Sequence, residues 1–224
     1  MKYISVAVDG PAGSGKSTIT KMVAKDLGYN YVDTGAMYRA LTYNFLKNNL
    51  TELNEVKIDL LLNKVKFEVK FIDRIQYVFV NGEDVSEKIR TAEVSKFTSL
   101  FAKSPAVREF LIDTQRNLAM SNNIIMDGRD IASVVLPNAD IKIFLTASVE
   151  ERARRRVLDF ERQGVVDIDF DKVKADIAAR DYQDENRDIA PLVKVDDAVL
   201  IDTTNLTITE VVEKMIELIK KAEE

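Results

Sequence analysis

The chain has 224 residues, of which 46% are hydrophobic and 31% charged, and these proportions are typical of a globular fold in water. It contains neither cysteine nor histidine, which excludes disulfides, thiolate or imidazole metal ligands, cysteine nucleophiles and a Ser-His-Asp triad. The net charge of −5 argues against a protein built mainly to coat nucleic acid. Any chemistry must therefore use carboxylates, hydroxyls, lysine, arginine, backbone amides or a hard metal ion.

The hydropathy pattern contains no stretch that approaches the roughly 18 to 20 apolar residues of a membrane span. The apolar run near the N-terminus, Ile4 to Val8, stops at Asp9 and is much shorter than a signal-peptide core. We therefore expect a cytoplasmic protein without a membrane partner.

Five short apolar runs predict buried strands, because each precedes a polar or glycine-containing turn and then a helical pattern. Such runs, alternating with helices, indicate a parallel sheet with helices on both faces, a three-layer α/β fold. Four of the strands end in aspartate, at the edge of the sheet where ligands bind. The predicted strands are Ile4–Val8, Tyr31–Val32, Ile124–Met126, Lys142–Leu145 and Val199–Ile201.

A phosphate-binding loop follows the first strand. Residues 10–18 fit the pattern G-x-x-x-x-G-K-[ST] between a strand and a helical pattern, the context that supports this motif. Its glycines let backbone N–H groups approach an anion, its lysine supplies a charge for the β- and γ-phosphates, and its serine supplies a hydroxyl for Mg²⁺. The loop consists of Gly10, Pro11, Ala12, Gly13, Ser14, Gly15, Lys16, Ser17 and Thr18.

The loop predicts a nucleoside-triphosphate site but does not identify the acceptor of the phosphoryl group. The motifs of a GTPase switch are missing, because no glycine has an aspartate three residues before it and Asn63-Lys64 is followed by Val65-Lys66. A small-molecule kinase and an ATPase remain open. A kinase for a phosphorylated acceptor brings two polyanions together and needs arginines, which bind phosphate bidentately and stay charged.

The next candidate is the segment Asp33-Thr34-Gly35, which ends the second strand and opens a helix that carries Arg39. The N-terminus of this helix and Arg39 are placed to hold a phosphate or a base. The alternative is an exposed arginine on a surface helix.

Residues 65–85 interrupt the alternation of strands and helices. Residues 65–71 alternate with a period of two, residues 75–80 form a second strand, and Asn81-Gly82 predicts a type I′ turn into a short third strand. We interpret this segment as an inserted antiparallel sheet. The alternative is that its strands extend the edge of the main sheet.

The sequence Asp127-Gly128-Arg129-Asp130 follows the third core strand. An aspartate at the end of an apolar strand is placed to reach Mg²⁺, directly or through water. A plain turn explains two carboxylates and a guanidinium poorly, so we interpret this segment as functional.

Two arginine-rich segments follow. The first allows two interpretations, a solvated helix with i, i+4 ion pairs or a lid over the triphosphate with Gly164 at its tip. Its members are Arg152, Arg154, Arg155, Arg156 and Arg162. In the second segment Arg180, Asp184 and Arg187 have the spacing of one helix face, where the carboxylate either orients two arginines toward a ligand or forms a salt-bridge ladder. A nucleic-acid module is disfavoured, because only Phe160 lies near the first segment.

Taken together and in this order, the motifs resemble those of the bacterial cytidylate kinases, and the resemblance covers essentially the whole chain. The phosphate loop is shared with other kinases, whereas Asp127–Asp130 and the segment from Arg180-Asp181 to Asn186-Arg187 and Ala190-Pro191-Leu192 are more specific. The resemblance implies the nucleoside-monophosphate kinase fold, with a five-stranded parallel core, a monophosphate-binding domain that carries a small antiparallel sheet, and a short lid. It also implies transfer of the γ-phosphoryl group of Mg·ATP to CMP or dCMP.

The resemblance further implies roles for individual residues. The predicted catalytic residues are Lys16, Arg129, Asp130, Arg180 and Arg187. The expected ligands of ATP are the loop, Arg152 and Arg156, and those of Mg²⁺ are Ser17 and, through water, Asp33 or Asp127. Around the substrate phosphate we expect Arg39, Arg129 and Arg187, at the cytosine edge Ser99, Arg108 and Asp184, and elsewhere on the nucleotide Thr34, Asp130 and Arg180. Thr34 replaces a serine found in many relatives and keeps the hydroxyl.

The expected organisation follows the same family. Residues 1–35, 104–150 and 188–224 form the core, residues 36–103 the monophosphate-binding domain with its insert at about 63–86, residues 151–170 the lid, and residues 171–187 a helix from lid to core. We expect a monomer whose partners are ATP and CMP or dCMP, without nucleic acid. The alternatives are a kinase for UMP or dTMP, and a P-loop ATPase or regulator.

Overall fold

The structure is a computed structural model that describes residues 3–223 of the chain. Its strands are β1 (Ser5–Asp9), β2 (Asn30–Asp33), β3 (Phe67–Ile72), β4 (Ile75–Val80), β5 (Glu83–Asp84), β6 (Ile124–Asp127), β7 (Ile141–Thr146) and β8 (Val199–Asp202). Its helices are α1 (Lys16–Leu27), α2 (Thr34–Lys47), α3 (Glu55–Leu62), α4 (Ala92–Phe101), α5 (Pro105–Ser121), α6 (Val149–Arg162), α7 (Phe170–Glu185) and α8 (Ile208–Glu223). Among these described helices, none is long and apolar enough to cross a bilayer.

A five-stranded parallel sheet with the order β2-β6-β1-β7-β8 forms the centre of the fold. Val6 and Val8 of β1 pack with α1 and α8 on one face, whereas Ala7 packs with α2 and α5 on the other. Burial on both faces explains why β1 and β6 are continuous apolar runs rather than alternating ones. The prediction that β8 is a buried strand is wrong for Val199 and Leu200, which are exposed because β8 lies at the edge of the sheet. The predicted α/β class and the five parallel strands are confirmed.

The strand order brings three acidic strand ends together. Val8, the residue before Asp9, pairs with Asp127, and Asp127 in turn pairs with Asp33 across the neighbouring strand. Because all three strands are parallel, their carboxyl ends lie at one edge of the sheet, beside the loop that follows β1. This edge is where the candidate site lies.

A separate antiparallel sheet with the order β3-β4-β5 interrupts the core. The predicted insertion is therefore confirmed, and the alternative that these strands extend the main sheet is wrong. Asn81 and Gly82 have φ angles of 53° and 82°, as the predicted type I′ turn requires. Val78 and Val80 pack against Ala40, so this sheet is attached to α2.

Helices α6 and α7 form a hairpin whose connection contains Gly164. Ser148 caps α6 by accepting a hydrogen bond from the N–H of Glu151, and Asp169 caps α7 in the same way. The prediction that Arg187 lies on the same helix face as Arg180 and Asp184 is wrong. Helix α7 ends at Glu185, because its C-cap Asn186 leaves the helical conformation with φ −110° and ψ 15°, and Arg187 lies in the following loop.

Candidate active site

The phosphate loop has the backbone that its sequence predicts. Gly10 has a φ of 146°, and a Cβ atom there would lie 1.9 Å from the carbonyl oxygen of Leu145, so no other residue fits. Gly15, with a φ of 88°, is the N-cap of α1 and has no side chain that could occupy the first N–H groups of the helix. The loop and the positive end of the α1 dipole therefore present an anion site.

Lys16 is buried inside this loop. Its Nζ lies 2.6 Å from the carbonyl oxygens of both Gly10 and Pro11. Burial lowers the pKa of Lys16, and the positive charge of Arg129 lowers that pKa further. An anion beside the ammonium group favours its charged form, so a bound phosphate would raise the pKa of Lys16 that burial lowers.

The end of β6 lies directly against the start of α1. Ser17 Oγ donates a hydrogen bond of 2.7 Å to Asp127 Oδ2, and the Tyr31 hydroxyl donates one of 3.1 Å to Asp127 Oδ1. Burial, followed by the nearby charge of Asp33, raises the pKa of Asp127 to about 6. A buried carboxylate repelled by a second carboxylate and paired with a hydroxyl is a donor set that fits Mg²⁺, which is usually held by one or two carboxylates and substrate phosphates.

Asp33 already has two tasks at the start of α2. Its Oδ1 accepts a hydrogen bond of 2.8 Å from the N–H of Ala36, and its Oδ2 lies 2.9 Å from Arg39 Nη2. Thr34 is buried beside it and donates to the carbonyl oxygen of Asp127 at 2.7 Å. Of the two carboxylates predicted near Mg²⁺, Asp127 is therefore the one that faces Ser17, and Asp33 orients Arg39.

Two carboxylates hold three of the predicted arginines together. Arg129 Nε lies 2.9 Å from Asp184 Oδ2, and Arg187 Nη1 lies 4.0 Å from Asp184 Oδ1. Arg187 Nη2 is also 3.7 Å from Asp130 Oδ1, and the buried Arg108 forms an ion pair with Asp130. The arginines come from three separate segments, so the cluster exists only in the folded chain.

One N–H group in this cluster is left without a hydrogen bond. Arg187 Nη2 is buried and has no hydrogen-bond partner among the described residues, because its separation from Asp130 is too long. Buried donors are nearly always satisfied, so this group is available to donate a hydrogen bond to a ligand oxygen.

Further positive charges surround the same place. Partial desolvation lowers the pKa of Arg180, and the charges of Arg129, Arg156 and Arg39 lower it further, whereas Asp184 raises it. Arg129 and Asp184 also influence Lys16. The charge of Arg129 therefore acts on both Lys16 and Arg180, while Arg39 and Arg156 act on Arg180.

The first arginine-rich segment divides into two kinds of residue. Arg152 is buried, and its guanidinium bonds to the carbonyl oxygens of Ala147 and Ala12 at 2.9 and 3.0 Å and pairs with Asp181 at 2.6 Å. Arg156, in contrast, is exposed and lies over the ring of Phe160 at 4.6 Å. Arg152 therefore links α6 and α7 to the phosphate loop, and the contacts of both residues with ATP remain predictions.

Two other predicted ligands lie on exposed helix surfaces. Ser99 is exposed on α4, and Thr18 is exposed on the first turn of α1. Their roles in binding CMP and ATP remain predictions, because their surroundings do not define a partner for either.

Sequence reasoning overlooked several residues that shape the site. Asp9 is buried and accepts hydrogen bonds of 2.9 and 2.7 Å from the N–H groups of Ile131 and Ala132, which follow Arg129 and Asp130. Asp9 thereby joins β1, the strand before the phosphate loop, to the segment that carries Arg129. Tyr31 and Asp181 were overlooked as well. The position of Asp9 at the end of an apolar strand was the sequence feature that could have identified it.

Comparison with known proteins agrees with this geometry. The cytidylate kinase family profile matches residues 6–221 of the chain. The chain is 49% identical over 221 residues to the cytidylate kinase of Caldicellulosiruptor bescii, covering 99% of this chain and 97% of that protein. It is also 49% identical over 221 residues to the cytidylate kinase of Alkaliphilus oremlandii, covering 98% and 99% of the two chains.

Two solved structures share the fold at low sequence identity. Shikimate kinase from Bacteroides thetaiotaomicron matches with a TM-score of 0.50 and 15% identity, covering 97% of this chain and 98% of that one. An uncharacterized protein from Eubacterium ventriosum matches with a TM-score of 0.52 and 14% identity, covering 98% and 99%. The likeness in fold and the close sequence relatives agree with the motifs, and the chain belongs to the cytidylate kinase family.

Proposed function

We propose that the chain transfers the γ-phosphoryl group of ATP to CMP or dCMP, giving ADP and CDP or dCDP. The observation that carries this proposal is the buried Nη2 of Arg187, which has no hydrogen-bond partner among the described residues and belongs to an arginine cluster whose Arg129 acts on Lys16 of the phosphate loop. Two anion sites side by side are what a phosphorylated acceptor and a triphosphate donor need. The family match disfavours the alternatives of an ATPase, a regulator or a kinase for UMP or dTMP.

On the donor side, the loop N–H groups and the N-terminus of α1 hold the phosphates of ATP. Lys16 turns from the carbonyl oxygens of Gly10 and Pro11 to the β- and γ-phosphates. Ser17 and Asp127 would hold Mg²⁺, which neutralises charge on the phosphates and fixes their geometry. Asp33 reaches this ion at most through water, because its own oxygens bind Ala36 and Arg39.

On the acceptor side, Arg39, Arg129 and Arg187 bind the phosphate of CMP. The acceptor oxygen already carries negative charge, so the transfer needs no protein nucleophile and no general base. The arginines hold that oxygen in line with the γ-phosphorus, and Arg180 stabilises the charge on the group in transit.

The base and sugar contacts follow from the same cluster. A carboxylate accepts from the cytosine N4 amine, so Asp184 suits that edge, while Arg108 and Ser99 can donate to N3 and O2. Asp130 and Thr34 contact the sugar. Uracil has no N4 donor, so UMP would lose the hydrogen bond that Asp184 accepts from the amine of cytosine.

Each of the expected ranges of the chain has its own role in this proposal. Residues 1–35, 104–150 and 188–224 act as the core, residues 36–103 bind the monophosphate, and residues 151–170 close as a lid on the helix 171–187. Closure excludes water, which would otherwise accept the phosphoryl group. We further propose a monomer in the cytoplasm.

A coupled ADP-release assay with ATP, Mg²⁺ and a panel of nucleoside monophosphates tests the reaction. We expect turnover with CMP and dCMP and little with UMP, dTMP, AMP or GMP. ADP release without any acceptor would identify an ATPase, and no release with any acceptor would identify a nucleotide-binding regulator. Either result overturns the proposal.

A further inference from the structure

The antiparallel sheet touches the free edge of the core sheet through one side chain. Strand β2 is an edge strand of the five-stranded sheet. The Gln76 side-chain carbonyl accepts a hydrogen bond of 2.7 Å from the backbone N–H of Asp33, and its amide group donates one of 3.3 Å to the backbone carbonyl of Asp33. Gln76 therefore occupies the edge of β2 as a neighbouring strand would.

A second contact supports the same attachment. The turn between β3 and β4 places the Arg74 guanidinium so close to Gly28 that a Cβ at residue 28 would lie 2.4 Å from Arg74 Nη1. Gly28 ends α1 and leads into β2. The hairpin thus lies along β2, while the rest of its sheet packs on α2 through Ala40.

The residue that Gln76 holds is the one that orients Arg39. Asp33 is the N-cap of α2, and its two carboxylate oxygens bind Ala36 N–H and Arg39 Nη2. Its extended backbone, with φ −83° and ψ 96°, decides where both oxygens point. A hydrogen-bonded pair on both sides of Asp33 restricts these angles, since rotation about either would break a bond.

We infer that Gln76 is a positioning residue for the acceptor phosphate, acting through Asp33 on Arg39. The inference rests on the proposed function, because it requires Arg39 to bind the phosphate of CMP. The inserted sheet would thus contribute to substrate binding through the side-chain amide of Gln76. The phosphate loop follows β1, which lies on the far side of β6 from β2, so the route from Gln76 to ATP is longer than its route to Arg39.

Gln76→Met tests this inference, since methionine keeps the length and removes both hydrogen bonds. We expect the KM for CMP to rise about threefold to tenfold, with the KM for ATP changed less than twofold. Lys70→Met, an exposed substitution on the same sheet, is the matched control and should leave both values unchanged. A lower melting temperature with an unchanged ratio of the two KM values would show a merely structural role and overturn the inference.

A double-mutant cycle separates this inference from the proposed function. Arg39→Ala alone should raise the KM for CMP, and adding Gln76→Met should then have no further effect. If Arg39→Ala leaves the KM for CMP unchanged, the proposed role of Arg39 fails and the inference with it. If Arg39→Ala raises that KM but Gln76→Met does not, or if the two effects multiply, only the inference fails.

Discussion

The donor and acceptor sides of the site are built in different ways. The donor side is one continuous loop between β1 and α1, whose glycine backbone and lysine follow directly from nine residues of sequence. The acceptor side that we propose consists of Arg39, Arg108, Arg129 and Arg187, which come from four places in the chain and are held by acidic partners. A local site tolerates changes elsewhere in the fold, whereas an assembled site depends on every element that positions it.

The largest effect should come from the donor side. Lys16→Ala should lower kcat by about 10³-fold, because it removes a charge that stabilises the transferred group inside a water-excluded site. Circular dichroism and the melting temperature should change little. Lys25→Ala, on the exposed face of the same helix, is the control and should keep full activity. Retention of more than a tenth of the activity by Lys16→Ala would contradict its role.

On the acceptor side, Arg187→Ala should lower kcat by about 10²-fold and also raise the KM for CMP, while the KM for ATP stays constant. The arginine contacts the acceptor before and during transfer, so both constants respond. Steady-state kinetics with each substrate varied in turn measures this. Lys221→Ala, at the exposed end of α8, serves as the control. A change confined to the KM for ATP would place Arg187 on the donor side instead.

Asp184 should act on selectivity. Asp184→Ala should reduce the preference for CMP over UMP by about 10-fold to 150-fold, the equivalent of the roughly 1.5 to 3 kcal/mol that a hydrogen bond to a charged group contributes. Loss of its contacts to Arg129 and Arg187 lowers the activity with both pyrimidines, so the ratio of kcat/KM values is the informative quantity. Equal losses for CMP and UMP would remove Asp184 from the base-reading role.

Asp9, which joins β1 to the segment after Asp130, should affect the stability of the fold rather than its activity. Burial raises the pKa of Asp9 from 3.8 to about 6. A raised pKa in the folded state means that the stabilisation is complete below pH 3.8 and is lost as the pH rises through 6. We expect the free energy of unfolding in urea to fall by roughly 3 kcal/mol from Asp9 between pH 4 and pH 7.5.

Asp9→Asn provides the comparison for this pH dependence. The substitution removes the titrating group, so the fall in unfolding free energy with pH should be smaller by about the contribution of Asp9. Asp127 titrates in the same range and should leave a residual slope. Identical slopes in the two proteins would show that Asp9 does not titrate there.

The sequence predicted the local features of this molecule well. The phosphate loop, the core strands and the type I′ turn at Asn81-Gly82 depend on neighbouring residues and are confirmed. What could not be predicted depends on which distant segments meet. Gln76 pairs with Asp33 over 43 positions and Asp9 with Ile131 over 122, and no spacing rule connects such residues. The end of α7 was missed because the spacing of Arg180, Asp184 and Arg187 does not show that the backbone leaves the helical conformation at Asn186.

The carboxylates that hold the acceptor-side arginines have a consequence for turnover. Asp184 and Asp130 already pair with Arg129 and Arg187, two of the arginines that we propose bind the phosphate of CMP. An incoming phosphate therefore exchanges with internal anions, and its net affinity is the difference between two similar attractions. The same exchange helps CDP to leave, because the aspartates replace it at once. We therefore expect both a moderate affinity for the acceptor and a quick departure of the product from this single arrangement.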